Sequence, residues 1–247
     1  MPGAGDCRLT DYREHYTRDA EAIVDPADLP ARHQAAESRR LHALVRLLAP
    51  KPDETILDAG CGSGWFAVAC HRTGATVRAM DIAPGGVAGA RQRYGQHAGF
   101  LAGDVYRLPF LSQSFDAIVL SEVVEHLEDV AAALREAHRV LRPGGRVLVS
   151  VPYRERITYH LCIHCNRLTP ANAHLHSFDL SRLEALLRSG GLQPQRSMLL
   201  TSKVLERLGF AYRTRRWPYW VWRTVDRLCN RLVPGAAYLC VLASRTD

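Results

Sequence analysis

The 247 residues carry 32 Lys and Arg against 25 Asp and Glu, a formal net charge of +7, and 47% of them are hydrophobic. That apolar share over that length suits one globular domain and excludes a disordered or fibrous chain. No apolar run is long enough to span a bilayer, residues 1–20 lack the apolar stretch of a signal peptide, and seven cysteines in such a chain point to free thiols or metal ligands before disulfides, so a cytoplasmic protein is expected.

Residues 1–30 are polar with scattered aromatics, and a helix is predicted over Ala31–Leu48, with Leu41, Leu44, Val45 and Leu48 as its apolar stripe. It stops before Pro50 and Pro52. The short aliphatic run at 55–57 reads as a buried parallel strand, and 65–70 begins a helical pattern. Gly60, Gly62 and Gly64 therefore fall on a strand-to-helix turn, where a ligand can approach the backbone closely and the helix offers unpaired N–H groups. Their Gly-x-Gly-x-Gly spacing differs from the Gly-x-Gly-x-x-Gly that cradles a dinucleotide pyrophosphate. Asp58, at the strand end, would repel a pyrophosphate and attract an ammonium or a sulfonium. A second strand at 76–80 ends at Asp81, placed to accept from both hydroxyls of a ribose. Gly103-Asp104-Val105 follows an apolar stretch at 100–102, and Asp104 is a candidate acceptor for an adenine amino group.

Further strands are predicted at 115–120 and 146–151, the latter after the turn Arg142-Pro143-Gly144-Gly145. Between them Val130, Leu134, Ala137, Val140 and Leu141 recur at helical steps and mark one buried face. Glu122-x-x-Glu125-His126 directly follows the fourth strand, at the end where parallel strands open onto a ligand crevice, so Glu122, Glu125 and His126 are the catalytic candidates. His126 is a candidate general base on an acceptor hydroxyl, whereas capping of the next helix by Glu125 and His126 is the structural alternative. Cys61 and Cys70 are read as inert core thiols.

Cys162-x-x-Cys165 is followed by His174-Leu175-His176. These four soft or borderline ligands suit a closed tetrahedral zinc site that would order a loop with little core of its own. His160 and His164 are alternative ligands, and the reading without metal buries Cys165 and turns His174 and His176 to a substrate pocket. The last two strands are predicted at 195–200 and 236–243, which leaves 201–235 as an insertion.

The ordered set Leu57-Asp58-Ala59-Gly60-Cys61-Gly62-Ser63-Gly64, Asp81, Gly103-Asp104, Phe115-Asp116, Ser121-Glu122-Val123-Val124-Glu125-His126-Leu127 and Leu141-Arg142-Pro143-Gly144-Gly145 resembles the class I S-adenosylmethionine-dependent methyltransferases. The small-molecule branch, which includes the ubiquinone-biosynthesis O-methyltransferases, is the most similar, over roughly residues 40–152. The resemblance implies an α/β fold: a Rossmann-like, doubly wound, mostly parallel seven-stranded sheet with helices on both faces. It divides one methyltransferase domain into an N-terminal helical lid (1–49), a cofactor-binding core (50–152), a Cys/His loop (153–180) and a helical insertion (201–235) before the last strand. It implies S-adenosyl-L-methionine as cofactor, the methionine part held by Asp58, Gly60, Cys61, Gly62 and Gly64. Asp81 and Ile82 would then meet the ribose, Asp104 and Val105 the adenine, and Ser121 or Glu122 the methyl end. In the ubiquinone O-methyltransferases and the small-RNA terminal methyltransferases a similar Glu-x-x-Glu-His binds a divalent cation, while many relatives with the same string use none. By this resemblance Glu122, Glu125 and His126 are candidate cation ligands. The N-terminal segment would fold over the cofactor; Tyr12, Tyr16 and Arg39 are lid candidates, with a solvated surface expected for each individually.

The expected activity is methyl transfer to an oxygen of a small, lipid-linked or anionic acceptor, with RNA methylation and a catalytically silent cofactor-binding subunit as alternatives. Residues 201–235 hold Lys203, Arg207, Arg213, Arg215, Arg216, Arg223, Arg227 and Arg231 against Glu206 and Asp226, together with Trp217, Tyr219, Trp220 and Trp222. Arginines interleaved with indoles suit an anionic membrane surface or a polyprenyl phosphate, which would place the protein peripherally at a membrane. Single-stranded nucleic acid is the competing anion, and a cationic helical cap with buried tryptophans is the structural alternative.

Overall fold

The structure, a computed structural model, describes residues 11–21, 24–161, 166 and 168–246. Cys162, His164 and Cys165 lie outside the described residues. The elements are α1 (Tyr12–Glu21), α2 (Ala31–Leu48), β1 (Thr55–Ala59), α3 (Trp65–His71), β2 (Thr76–Asp81), α4 (Pro84–Tyr94), β3 (Gly99–Ala102), β4 (Phe115–Ser121), α5 (Val130–Val140) and β5 (Leu141–Pro152). They continue through β6 (Tyr159–Leu161), β7 (Leu168–Pro170), α6 (Leu180–Ser189), β8 (Leu192–Ser202), α7 (Lys203–Arg207), α8 (Phe210–Arg213), α9 (Tyr219–Leu232) and β9 (Ala236–Arg245).

Seven strands form one sheet in the order β3-β2-β1-β4-β5-β9-β8. The first five pair in parallel, and β9 runs antiparallel between β5 and β8. The central strands are apolar on both sides because both faces are covered. Ile56 and Leu57 are adjacent, point to opposite faces and are both fully buried. On one face Leu57, Ile118, Val147 and Val149 meet Leu134 and Ala137 of α5 and Leu183 and Leu187 of α6. On the other, Ile56, Val77, Val119 and Leu148 meet Leu44 and Leu48 of α2 and Phe66 and Cys70 of α3. Each such aliphatic side chain contributes about 1.5–3 kcal/mol by leaving water.

The sheet order reverses between β1 and β4, which opens a crevice at their carboxyl ends. α2 has the expected bounds; Ala49 closes it in the left-handed region (φ 50°), donating its N–H to Val45 O at 2.8 Å. Strand β5 starts earlier than predicted, at Leu141. Its first residue already pairs with Phe115, and the Arg142–Gly145 turn is absorbed as an irregularity before Arg146 meets Ala117. The Cys/His loop is framed by an unforeseen hairpin in which Tyr159 faces Pro170 and Leu161 faces Leu168. Among the described residues no helix is long and apolar enough to cross a membrane.

Candidate functional site

A cleft of about 340 Å³ opens over the ends of β1, β2 and β4, walled by α1 and α2. Its floor is the glycine turn. Gly60 has φ +87°, and a β-carbon there would lie 2.3 Å from Val123 Cγ2, so only glycine fits. The N–H groups of Gly60 and Cys61 both donate to Met80 O, at 2.7 and 2.9 Å, which ties the turn to the end of β2. Gly62 N–H donates to Asp81 Oδ2 at 2.9 Å, and Ala83 N–H to Asp81 Oδ1 at 3.1 Å. Asp81 is thereby oriented by two backbone donors at the lip of the cleft. Asp58, Gly60, Cys61, Gly62, Asp81, Ile82, Asp104, Val105 and Ser121 all line it. Gly64 does not; it stands behind the lining at the start of α3, against the ring of Phe100.

Asp58 is 1% exposed, and its Oδ2 has no hydrogen-bond partner among the described residues. Burial, and then the nearby Asp81 charge, pushes its pKa up to about 7. A buried carboxylate with an unused oxygen facing a cleft fits an ammonium, the group at the head of a methionine-derived cofactor.

At the other end of the cleft Asp104 Oδ1 accepts from Tyr106 N–H at 3.0 Å, and Oδ2 accepts from Tyr12 OH at 2.5 Å and from Arg13 at 3.0 Å. Tyr16 OH donates to the His126 carbonyl. Helix α1 thus spans the cleft from Asp104 to His126. The solvated surface expected for Tyr12 and Tyr16 is corrected: both line the cleft. Arg39 is corrected differently, being buried on the far side of α2 with its guanidinium on Thr214 O and Trp217 O at 2.7 and 2.9 Å.

The cleft-facing arginine is Arg40, one residue and about 100° around the helix. Arg40 grips Glu37 (2.6 Å), donates to Ser121 Oγ at 2.9 Å, lies 4.0 Å from Glu122 and stands 5.3 Å over the Tyr238 ring. Burial opposes its charge, but Glu37 and Glu122 outweigh that and raise its pKa. Sequence reasoning missed Arg40, Glu37 and Tyr238. The available signal was Arg40 three residues after Glu37 on the helix that precedes the first strand.

Glu122 adopts φ +57°, a left-handed conformation unusual for a non-glycine residue. Its backbone N–H donates to Ser150 O, and its Oε1 accepts from Ser150 Oγ, each at 2.9 Å. Glu125 and His126 follow on a 3₁₀ turn, Val124–His126. The capping alternative fails, because Asp129 caps α5 by accepting from Ala132 N–H at 2.9 Å. Glu125 is fully buried, and neither carboxylate oxygen has a hydrogen-bond partner among the described residues. Burial and the neighbouring Glu122 hold its pKa well above the carboxylate range; Glu122 is raised too, chiefly by burial. His126 lines the cleft, with Nδ1 3.3 Å from Ala173 O and its ring centroid 4.8 Å from that of His174. His174 Nδ1 is engaged by Glu155. Ligand atoms of Glu125, His126 and His174 all lie within 4.8 Å of one another.

His174 and His176, expected to act together, have different partners. His176 Nε2 meets Leu127 O at 2.8 Å and Nδ1 lies 3.3 Å from Arg182, while burial holds its pKa below the ordinary value. Cys162 and Cys165 fall outside the described residues, and His160 is exposed on β6.

A sequence model of the family described as Methyltransferase domain matches residues 57–149. Malonyl-[acyl-carrier protein] O-methyltransferase of Serratia marcescens is 43% identical over 107 residues, 43% of this chain and 42% of that protein, so the chain spans less than half of that relative's length. Ubiquinone biosynthesis O-methyltransferase of Xylella fastidiosa is 34% identical over 172 residues, 62% of this chain and 69% of that protein. Among solved structures, the 1,6-didemethyltoxoflavin-N1-methyltransferase of Burkholderia thailandensis with bound S-adenosylhomocysteine superposes with a TM-score of 0.60 at 22% identity, covering 98% of this chain and 93% of its own, and shares the fold.

Proposed function

We propose that this chain, which belongs to the class I S-adenosylmethionine-dependent methyltransferases, methylates an oxygen of a small, anionic or lipid-linked acceptor with a divalent cation held at Glu122, Glu125, His126 and His174. The observation that carries the cation is Glu125: a fully buried carboxylate with two unpartnered oxygens, beside two imidazoles of which one, His126, lines the cleft. Such a group is strongly destabilising unless protonated or coordinated. Carboxylate and imidazole donors suit a divalent metal such as magnesium or manganese. Oxygen as the accepting atom is supported by the two O-methyltransferase relatives.

S-adenosylmethionine, when bound, supplies a methyl group already activated on a sulfonium, so the protein's work is largely alignment. Asp58 takes the ammonium, Asp81 the ribose hydroxyls, and Asp104 with Val105 the adenine edge. Tyr12 and Tyr16 close the cleft against water from above. Arg40 fixes Ser121 and faces Glu122, which sets the wall against which an acceptor oxygen is presented. A cation on Glu122, Glu125, His126 and His174 would hold that oxygen and favour its ionised form. In the second reading Glu125 stays protonated without metal and the His126 imidazole removes the acceptor proton. That reading rests on His126 lining the cleft with Nδ1 set against a carbonyl.

The experiment is transfer of a labelled methyl group to an extract fractionated into lipids, small molecules and RNA, with and without chelator. Loss of transfer on chelation and its recovery with magnesium support the cation; undiminished activity selects the base. Label in RNA, or none in any fraction, refutes the small-acceptor reading. Elemental analysis of the same protein separates magnesium or manganese from zinc. A zinc equivalent lost in Cys165→Ser would instead support the Cys162, Cys165, His174 and His176 cluster.

A further inference from the structure

The insertion between β8 and β9 is fastened to the body of the protein from one side and left exposed on the other. Tyr219 stacks on His42 of α2 at 4.3 Å, with the Arg46 guanidinium 5.1 Å above its ring. Trp222 is 3% exposed under Arg39. Arg223 pairs with Asp226 at 2.7 Å, and Asp226 accepts from Ser202 N–H at 2.7 Å. Trp222 therefore fulfils the structural-cap expectation. The other two indoles do not: Trp217 is 45% and Trp220 71% exposed.

Along α9, Trp220, Thr224, Arg227, Leu228, Arg231 and Leu232 recur at three- and four-residue steps and share one exposed arc. Leu228 is 53% and Leu232 79% exposed. Arg213, Arg215 and Arg216 stand exposed at the amino-terminal approach to the same helix. An exposed face on which an indole and leucines alternate with arginines marks an interaction surface.

We infer that this arc is a docking face for an anionic phospholipid bilayer, on which α9 lies in the plane of the interface. Charge selects that occupant. Residues 201–235 hold eight basic side chains against two acidic ones, and one of the two, Asp226, is already buried against Arg223. A second copy of the chain would press the same positive charge against itself. Phosphodiester headgroups neutralise it, while indole rings settle at headgroup depth and leucines enter the acyl boundary. α9 rises about 21 Å over its 14 residues, enough to present the whole arc at once. The same α2 that anchors the insertion through Arg39, His42 and Arg46 carries Glu37 and Arg40 into the cleft, so a seated α9 fixes the cleft relative to the lipid surface. The docking stands independently of which acceptor is methylated.

The test is sedimentation of the full chain with vesicles of phosphatidylglycerol and phosphatidylcholine, against phosphatidylcholine alone, with tryptophan emission recorded. Binding is expected only to the anionic vesicles, with a blue shift and a marked loss on raising salt. Arg227→Glu with Arg231→Glu should lower partitioning about tenfold or more, and Trp220→Phe should abolish most of the blue shift. Both should keep wild-type affinity for S-adenosylhomocysteine, which certifies the fold. Should that pair misfold, Arg215→Glu with Arg216→Glu, in the exposed connection before α9, serves in its place. Equal sedimentation with both vesicle types, binding unaffected by the charge reversals, or displacement from vesicles by polyuridylate overturns the inference; the last would assign the face to nucleic acid.

Discussion

Cofactor affinity should depend on pH through Asp58. In the unliganded protein this carboxyl is held at about 7 against an ordinary 3.8, by burial and by Asp81, and its Oδ2 is unpartnered. An ammonium beside it needs the ionised form, so binding expels a proton wherever the free protein still carries one. The apparent dissociation constant is raised by the factor 1 + 10^(7 − pH), roughly elevenfold at pH 6 and about 1.1-fold at pH 8. A tenfold gain in affinity, about 1.4 kcal/mol, is therefore expected between those values. The stability of the unliganded protein moves the other way. Because the folded pKa lies above the unfolded one, the contribution of Asp58 is fully present below about pH 4 and is lost as pH rises through about 7. Over that window it amounts to about 4 kcal/mol. Calorimetric titration with S-adenosylhomocysteine, which carries the same ammonium, reads the first effect, and thermal melts with and without it read the second. Asp58→Asn should flatten the pH dependence and cost about 1.5–3 kcal/mol of binding at pH 8. Affinity that is constant from pH 6 to pH 8, or an Asn variant that binds like wild type, would refute the electrostatic reading of this residue.

Gly60→Ala should lower the thermal midpoint by roughly 4–8 °C, through about 2 kcal/mol of left-handed strain and contact with Val123, and weaken cofactor binding. Gly85→Ala, where nothing lies within 4 Å and the backbone is helical, should instead be neutral or stabilising in the same melts. Arg40→Gln removes the cation that opposes burial at Asp58, Glu122 and Glu125. The pH at which cofactor affinity levels off should then rise. Arg40→Lys should restore most of it, and an unchanged pH profile in Arg40→Gln would count against the coupling.

The parts of the fold legible in the sequence are those set by local pattern. α2 could be bounded because its apolar stripe and the prolines at 50 and 52 agree. The glycine turn and Asp58 could be placed because a buried strand, a positive-φ turn and a helix start fall within ten residues. The early start of β5 was hidden, since Pro143 and two glycines read as a turn while the pairing of Leu141 with Phe115 depends on a partner strand. Arg39 was chosen over Arg40 because a charge pattern does not say which side of a helix meets the sheet. His174 was grouped with His176 by spacing alone. Its partners, Glu125, His126 and Glu155, come from segments that only the tertiary fold brings beside it.

Arg40 connects the two halves of the site. Its positive charge works against burial at Asp58 on one side of the cleft and at Glu122 and Glu125 on the other. One guanidinium cannot neutralise three carboxyls besides Glu37, which it already grips. Asp58 and Glu125 therefore keep pKa values above the ordinary carboxylate range in the unliganded cleft. A ligand carrying positive charge at either end therefore competes with protons there, and its affinity is expected to rise with pH.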